Sequence, residues 1–223
     1  MILTFPEVIN ADEYRAILDQ LGAAEFVDGR ETASPQLAQI KNNQQLSRGS
    51  AALQRIADIV LGALRRNPEF LNAVYPKQLH SLLVSRYRDG MQYGAHVDQA
   101  LMGESTVWRT DLSLTLFLND PDSYAGGELA LQHGSGETLI KLPPRSMVCY
   151  PTGQLHRVMP VARGERVAVV GWIQSYVRDN AARETLCDLG QALELLRGRD
   201  EFRAAHDLVN KTHANLLRRW AEP

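Results

Sequence analysis

The sequence predicts an α+β protein in which a strand-rich centre lies between two helical zones. The centre should close as a sandwich or barrel, of which a double-sheet jelly roll is one form. Two observations carry this. Apolar residues recur at three- and four-residue spacing up to about residue 75 and again beyond about residue 178. Between residues 79 and 177, short β-rich runs alternate with turn signals.

The first helix, "ADEYRAILDQLG", is capped by Asn10 and ended by Gly22. The second, "AALQRIADIVLGALRR", is capped by Ser50 and stopped by Asn67-Pro68. The polar stretch 29–49 between them reads as an ordered loop with some extended pairing. The strand candidates that follow are "LHSLLVSRY", "DLSLTLFLN", "GELALQ", "ETLIKL", "SMVCYP", "HRVMPV" and "RVAVVGWIQS". Turn signals separate them: "RDG", "NDPDSYAGG", "HGSG", "LPPR", "PTGQ" and "ARGE". From Arg178 the pattern is helical again, and the last two apolar stripes, "LCDLGQALELL" and "LVNKTHANLL", suit an antiparallel helix pair. Such a pair cannot bury both stripes by itself. It should pack on the barrel or on a second copy of the chain, so a homodimer through these helices is an expectation.

A length of 223 residues suits one sizeable core with a small appendage. The net charge of −2 gives no global electrostatic case for a nucleic-acid or anionic-membrane partner. No apolar run is long enough to span a bilayer. The N-terminus, "MILTFPEVINADEY", lacks the basic and apolar regions of a signal peptide. The two cysteines, Cys149 and Cys187, are not in CxxC spacing and read as buried packing residues in a reducing compartment. The cytoplasm is the expected location.

The stretch "YGAHVDQAL" sets His96 and Asp98 two residues apart, which on a strand places both on one face. A His-x-Asp triplet arises by chance in roughly one chain in three of this composition, so alone it is weak. Standing alone, it reads first as a core histidine hydrogen-bonded to a nearby carboxylate. Downstream, His156 opens "HRVMPV", and Arg166 opens "RVAVVGWIQS" ten residues later. Two imidazoles and a carboxylate make a facial triad for Fe(II) that leaves adjacent positions open. An arginine nearby can grip a dicarboxylate's far end with two parallel hydrogen bonds.

This order of motifs resembles the Fe(II)- and 2-oxoglutarate-dependent dioxygenases, and within them the prolyl-4-hydroxylase-like branch and its PKHD-type hydroxylases. The resemblance lies in "SRYRDGMQYGAHVDQA", "LFLNDPDSYAGGELAL" and "PTGQLHRVMPVARGERVAVVGWIQS", and it covers nearly the whole chain. It implies a double-stranded β-helix over about 79–177 within a dioxygenase domain of 1–177, followed by a helical extension over 178–223. It makes His96, Asp98 and His156 the iron ligands and catalytic centre, and Arg166 the anchor of the 2-oxoglutarate C5 carboxylate. Tyr87 matches a tyrosine that helps hold the co-substrate, and Trp172 an aromatic of the metal pocket. Phe117 stands where some relatives have tyrosine, so the hydroxyl of a second carboxylate contact is missing. Core packing explains Tyr87 and Trp172 nearly as well, and Glu165 offers Arg166 a surface ion pair instead.

The implied chemistry is hydroxylation of an unactivated C–H bond with O2, 2-oxoglutarate giving succinate and CO2, and L-ascorbate as a further cofactor. The substrate would be peptidyl or a siderophore-like small molecule, chosen by the 29–49 segment and by "DQALMGESTVWRT", where Trp108 and Arg109 are placed to touch it. A nucleic-acid dealkylase would carry a second arginine in an Arg-Asn-Thr-Arg pattern, whereas Arg166 is followed by "VAVVGWIQS". A non-catalytic cupin-like metal-binding protein would keep the triad but not turn over. Of the other histidines, His133 reads as an exposed turn residue, His206 and His213 as helix-surface or interface residues, and His80 has no evident partner. A carboxylate placed for metal rather than for packing should cost little stability when deleted.

Overall fold

The N-terminal zone supplies a helical layer. β1 (Leu3–Phe5) leads to α1 (Ala11–Gly22), where Asn10 accepts from the Glu13 amide and Glu13 caps the Asn10 amide in return. This reciprocal box satisfies two donors that a helix start leaves free. β2 (Phe26–Asp28), the short α2 (Pro35–Ala38), β3 (Lys41–Asn42) and β4 (Gln44–Leu46) fill the polar segment, so it is ordered, with extended pairing. α3 (Ala51–Arg65) starts on Ser50, and α4 (Pro68–Val74) follows. Asn67-Pro68 ends the one helix and opens the other. The Asn67 side chain accepts from the Phe70 amide at 2.9 Å, and Pro68 sits in the first turn, where a missing N–H costs nothing.

The chain then runs through β5 (Pro76–Leu79), β6 (Leu83–Arg88), β7 (Gln92–His96), β8 (Leu101–Met102), β9 (Trp108–Arg109) and β10 (Leu112–Phe117). β11 (Ala125–Gly126), β12 (Leu129–His133), β13 (Gly136–Ile140), β14 (Met147–Pro151), β15 (His156–Val158), β16 (Val161–Arg163) and β17 (Glu165–Ser175) complete the strands. α5 (Asn180–Leu196) and α6 (Arg203–Trp220) close the chain. This computed structural model describes residues 1–80, 82–103 and 106–223. Ser81 of the "LHSLLVSRY" strand candidate, and Glu104 and Ser105 of the loop after Asp98, lie outside the described residues.

Among the described residues the strands form two main antiparallel sheets. The larger runs β1-β14-β10-β17-β6-β4-β2, with β5 also on β17, and the smaller runs β13-β12-β15-β7-β3. The fold class is therefore α+β with a jelly-roll core, as expected. The strands missed in the sequence are β1, β2, β5, β7, β8, β9 and β11, while β3 and β4 fall in the segment where unplaced pairing was expected. All but β5 and β7 have two or three residues, too few for an alternation to show, and neither "PKQL" of β5 nor "QYGAH" of β7 has a regular one.

The alternation along β10 and β17 explains the layering. Leu112, Leu114 and Leu116, with Val167, Val169 and Ile173, face Ile17, Ile56, Val60, Leu64 and Phe70 of the helical layer in one core. Each such aliphatic chain contributes about 1.5–3 kcal/mol by burial. The intervening residues Ser113, Thr115 and Phe117, with Arg166, Ala168, Val170 and Trp172, face the smaller sheet. At one end of that interior, Phe117, Leu129, Leu131, Ile140, Val148 and Tyr150 close the two sheets on each other. At the other end the inner face is polar and opens into a cavity of about 960 Å3. The Gly126-Gly127 pair makes the connection possible. Both have positive φ, a Cβ on Gly126 would lie 2.0 Å from the Pro160 carbonyl oxygen, and one on Gly127 would crowd the Arg166 Cδ at 3.1 Å.

α5 and α6 fold back on the chain rather than away from it. Val177, Ala182 and Leu186 form a small core with Tyr75, Leu216, Leu217 and Trp220. Arg183, 2% exposed, donates to the Val177 and Arg178 carbonyls at 2.5 and 2.9 Å. The tail is tied down by a Val177–Ala221 bridge and by a Glu222 amide bond to the Tyr176 carbonyl at 2.7 Å. Truncation after about residue 177 should therefore cause aggregation or loss of folding, read by gel filtration and circular dichroism. A soluble, fully active truncate would refute a packing role for this extension.

Candidate active site

His96 is the last residue of β7 and His156 the first of β15, and the two strands pair antiparallel with these residues opposite each other. That register, not proximity in sequence, sets the imidazoles side by side, their ring centroids 4.3 Å apart. His96 Nδ1 bonds the Gly94 carbonyl at 2.8 Å and His156 Nδ1 the Gln154 carbonyl at 2.9 Å. A carbonyl can only accept, so each Nδ1 carries a proton, which leaves Nε2 as the ligand atom when a metal binds. The strand-face argument for Asp98 is corrected here: β7 ends at His96, and Asp98 lies two residues past it. A cross-strand pair on the larger sheet places the carboxylate instead. Trp172 Nε1 and Ser113 Oγ donate to Asp98 Oδ2 at 2.9 and 2.8 Å.

Asp98 Oδ1 lies 3.6 Å from His96 Nε2, and Oδ2 lies 3.7 Å from His156 Nε2. One potential ligand atom from each of the three residues falls within 4.8 Å of the others. Burial pushes the Asp98 carboxyl up, but the imidazoles of His96 and His156 and the donors Trp172 and Ser113 outweigh it, so the net shift is downward. Burial holds the His156 imidazole below its usual value, against the pull of Asp98. Two imidazoles anchored through Nδ1 with Nε2 facing the carboxylate, one carboxylate oxygen of which is already engaged, fit a divalent metal with open positions.

Arg166 is 1% exposed on the same inner face. Glu165 does not neutralise it, because that carboxylate pairs with Arg88 and Arg86. Its guanidinium sits between the Tyr87 and Phe117 rings, 5.3 and 5.4 Å from their centroids, and Nε has no hydrogen-bond partner among the described residues. Tyr87 is buried beside it as the register partner of Arg166. Phe117 is 1% exposed, packs with Leu129, Val148 and Tyr150 and brings no hydroxyl.

Trp108 lines the cavity, and its ring meets His80 edge to face at 5.5 Å. Arg109 does not reach it: its guanidinium is held by Asp111 and Glu222 at 2.7 Å each and by the Ser175 carbonyl. The expectation of a substrate contact for Arg109 is thus overturned by a partner 113 positions later in the chain. His133 is exposed in its hairpin. His213 bonds the Tyr75 hydroxyl at 2.8 Å, and His206 lies near Asp207. Cys149 and Cys187 are buried and free.

Sequence reasoning missed several cavity residues. Tyr93 stacks on His96 at 3.7 Å. Ser113 holds Asp98, and the polar segment contributes Lys41, Asn43 and Gln45 to the cavity wall. Only the polar alternation of "LSLT" offered a signal for Ser113. β3 pairs with β7 to bring Lys41 opposite Tyr93, a long-range register with no local mark.

A jelly roll with a His-Asp-His cluster at its open end and a buried arginine without an acid partner among the described residues is the arrangement of a metal-dependent oxygenase. Comparison with known proteins agrees. Residues 82–174 match the 2OG-Fe(II) oxygenase superfamily. The chain is 48% identical to a PKHD-type hydroxylase of Synechococcus elongatus, over 100% of both chains. It shares its fold with a Trichoplax adhaerens prolyl hydroxylase solved in complex with a hypoxia inducible factor oxygen degradation domain peptide fragment. That match has a TM-score of 0.56 at 16% identity and covers 84% of this chain and 86% of that one. It also resembles HygX of Streptomyces hygroscopicus, solved with nickel and 2-oxoglutarate bound, with a TM-score of 0.56 at 12% identity over 78% and 82% of the chains. The chain belongs to the PKHD-type hydroxylases of the 2OG-Fe(II) oxygenase superfamily. No helix among the described residues is long and apolar enough to cross a membrane.

Proposed function

We propose that this hydroxylase holds Fe(II) through His96, Asp98 and His156 and 2-oxoglutarate through Arg166, and hydroxylates an unactivated C–H bond of a peptidyl or siderophore-like small-molecule substrate. The observation that carries the reading is Arg166: a buried guanidinium without an acid partner among the described residues, on the same sheet face as Trp172, which holds the triad's carboxylate. An unpaired buried cation is costly unless a ligand neutralises it, and a dicarboxylate's distal end does so with charge-assisted bonds.

When bound, the iron and 2-oxoglutarate supply the oxidative chemistry, with succinate and CO2 as by-products of hydroxylation. The chain's part is to place and hold. The two Nδ1–H···carbonyl bonds fix both rings with Nε2 inward. Trp172 and Ser113 fix the carboxylate's rotation. Tyr87 supplies the only hydroxyl among the two rings flanking Arg166, and so takes the second co-substrate contact that Phe117 lacks. Trp108, with the 29–49 segment, is assigned to the substrate side. L-ascorbate is assigned as an accessory reductant that keeps the iron as Fe(II). The free cysteines favour the cytoplasm. The exposed Leu195, Phe202 and Leu208 of the C-terminal helical region favour a homodimer, checked by sedimentation.

Succinate formed from 2-oxoglutarate with Fe(II) in the absence of substrate tests the reading directly, and a substrate screen by the same readout follows. No succinate from folded, iron-loaded protein, with or without candidate substrates, would sink it. Trp172→Phe should keep the fold but weaken metal binding about 10- to 100-fold, the usual loss when a group orienting a ligand is removed. Anaerobic calorimetric titration with Fe(II) measures this, and unchanged affinity would return Trp172 to a packing role.

A further inference from the structure

The cavity carries positive charge that the hydroxylation chemistry does not use. Lys41 is 6% exposed, and its ammonium donates to Thr32 Oγ1 at 2.7 Å and lies 5.2 Å from the Tyr93 ring centroid. Both neighbours are neutral. Arg48 stands exposed at the cavity rim. Among the described residues lining the cavity, Asp98 is the only carboxylate, and neither cation has a salt bridge. Burial, and then the Arg48 charge, bring the Lys41 pKa down to about 8, against the pull of Asp98 and Asp28. The aromatic wall beside them is also unsatisfied: His80 Nδ1 and Trp108 Nε1 are buried without partners among the described residues.

A charge inventory of the assembled site separates these groups from the co-substrate. The dianion of 2-oxoglutarate neutralises Arg166 and, together with Asp98, the iron dication. Among the described residues Lys41 and Arg48 remain without a carboxylate partner, and a buried ammonium so placed is unfavourable unless a ligand brings the opposite charge.

We propose that the primary substrate carries an oxyanion, a carboxylate or phosphate, which docks on Lys41 and Arg48 at the mouth of the cavity, with the Trp108 indole N–H as a further donor. The inference rests on the assignment of the triad to iron and of Arg166 to 2-oxoglutarate.

The test uses the full chain loaded anaerobically with Fe(II) and saturated with 2-oxoglutarate, so that the Arg166 site is filled. Phenylacetate, phenyl phosphate and the neutral phenylacetamide are titrated by calorimetry. The anions should bind about tenfold or more tightly than the amide, the worth of one charge-assisted hydrogen bond. That preference should vanish in Lys41→Met and in Arg48→Met. The affinity of both variants for 2-oxoglutarate itself should stay within about twofold of the wild type, because neither cation touches it. A blocked glutamyl dipeptide and its glutaminyl counterpart extend the comparison. An acid preference seen there assigns a peptidyl carboxylate, and one confined to the small probes assigns a free small acid. If Lys41→Met does not fold, Lys41→Arg must keep the preference and Arg48→Met, at an exposed position, must lose it. Equal binding of phenylacetate and phenylacetamide by the wild type would overturn the inference. So would a large loss of 2-oxoglutarate affinity in Lys41→Met, which would make Lys41 a co-substrate residue. Failure of the wild type to bind 2-oxoglutarate would instead overturn the assignment beneath it, and the inference with it.

Discussion

Asp98→Ala should abolish succinate formation and weaken Fe(II) binding by more than about a hundredfold, beyond the 10- to 100-fold typical of losing a group that only orients a ligand. The carboxylate is the triad's only anion, so its removal leaves two neutral imidazoles to hold a dication. Anaerobic calorimetry and a succinate assay measure the two losses, and turnover retained at saturating iron would rule out Asp98 as a ligand. The stability expectation changes with the structure. From sequence, a carboxylate placed for metal should cost little when deleted. In the fold it accepts from both Trp172 and Ser113; Ser113 can turn to Thr152 Oγ1 at 3.2 Å, but alanine leaves the Trp172 indole N–H unpaired, at about 1–3 kcal/mol. A lowered melting temperature of the metal-free variant therefore follows from either role, and metal affinity is the measurement that separates them.

Arg166→Ala should weaken 2-oxoglutarate binding by about 2–5 kcal/mol, the usual cost of truncating one side of a buried, hydrogen-bonded charge pair, while Fe(II) affinity stays near the wild type. The stabilisation that 2-oxoglutarate gives the iron-loaded protein should vanish with it, because a ligand raises the melting temperature only through its affinity for the folded state. Without co-substrate the effect on stability is different. The native guanidinium has no acid partner among the described residues and lies between two aromatic rings, so Arg166→Met, which fills the space without the charge, should be no less stable than the wild type. Thermal melts with and without 2-oxoglutarate, alongside co-substrate titration, give both results. Unchanged 2-oxoglutarate affinity would make Arg166 a structural residue.

Much of this was legible in the chain because it is written locally. The capping of α1 by Asn10 and of α3 by Ser50 depends on residues within one helical turn, and the sequence places both correctly. The alternation of "DLSLTLF" reports a strand with one apolar face, and the motif order His96, Asp98, His156, Arg166 reports the family. Asn67-Pro68 shows the limit even of local signals. It reads as a stop, and it is also the start of α4, because a capping residue followed by proline serves either side.

The chain alone therefore determined the fold class, the bounds of α1 and α3 and the motif order that marks the family. Only the tertiary structure decided what surrounds the motif residues. Polar alternation on β10 ordinarily marks a solvated face, yet Ser113 and Thr115 are each 2% exposed, because the smaller sheet closes over them and converts a solvent face into a cavity wall. Arg109 sits beside Trp108 in sequence, but Asp111 and the distant Glu222 capture it. Lys41 and Tyr93 meet because β3 pairs with β7 across the whole of α3 and α4. Capping and periodicity are read within a few residues. Strand register and ion-pair choice depend on closing long loops, where many alternatives compete and the winner is the one whose burial and charge are satisfied by the completed fold.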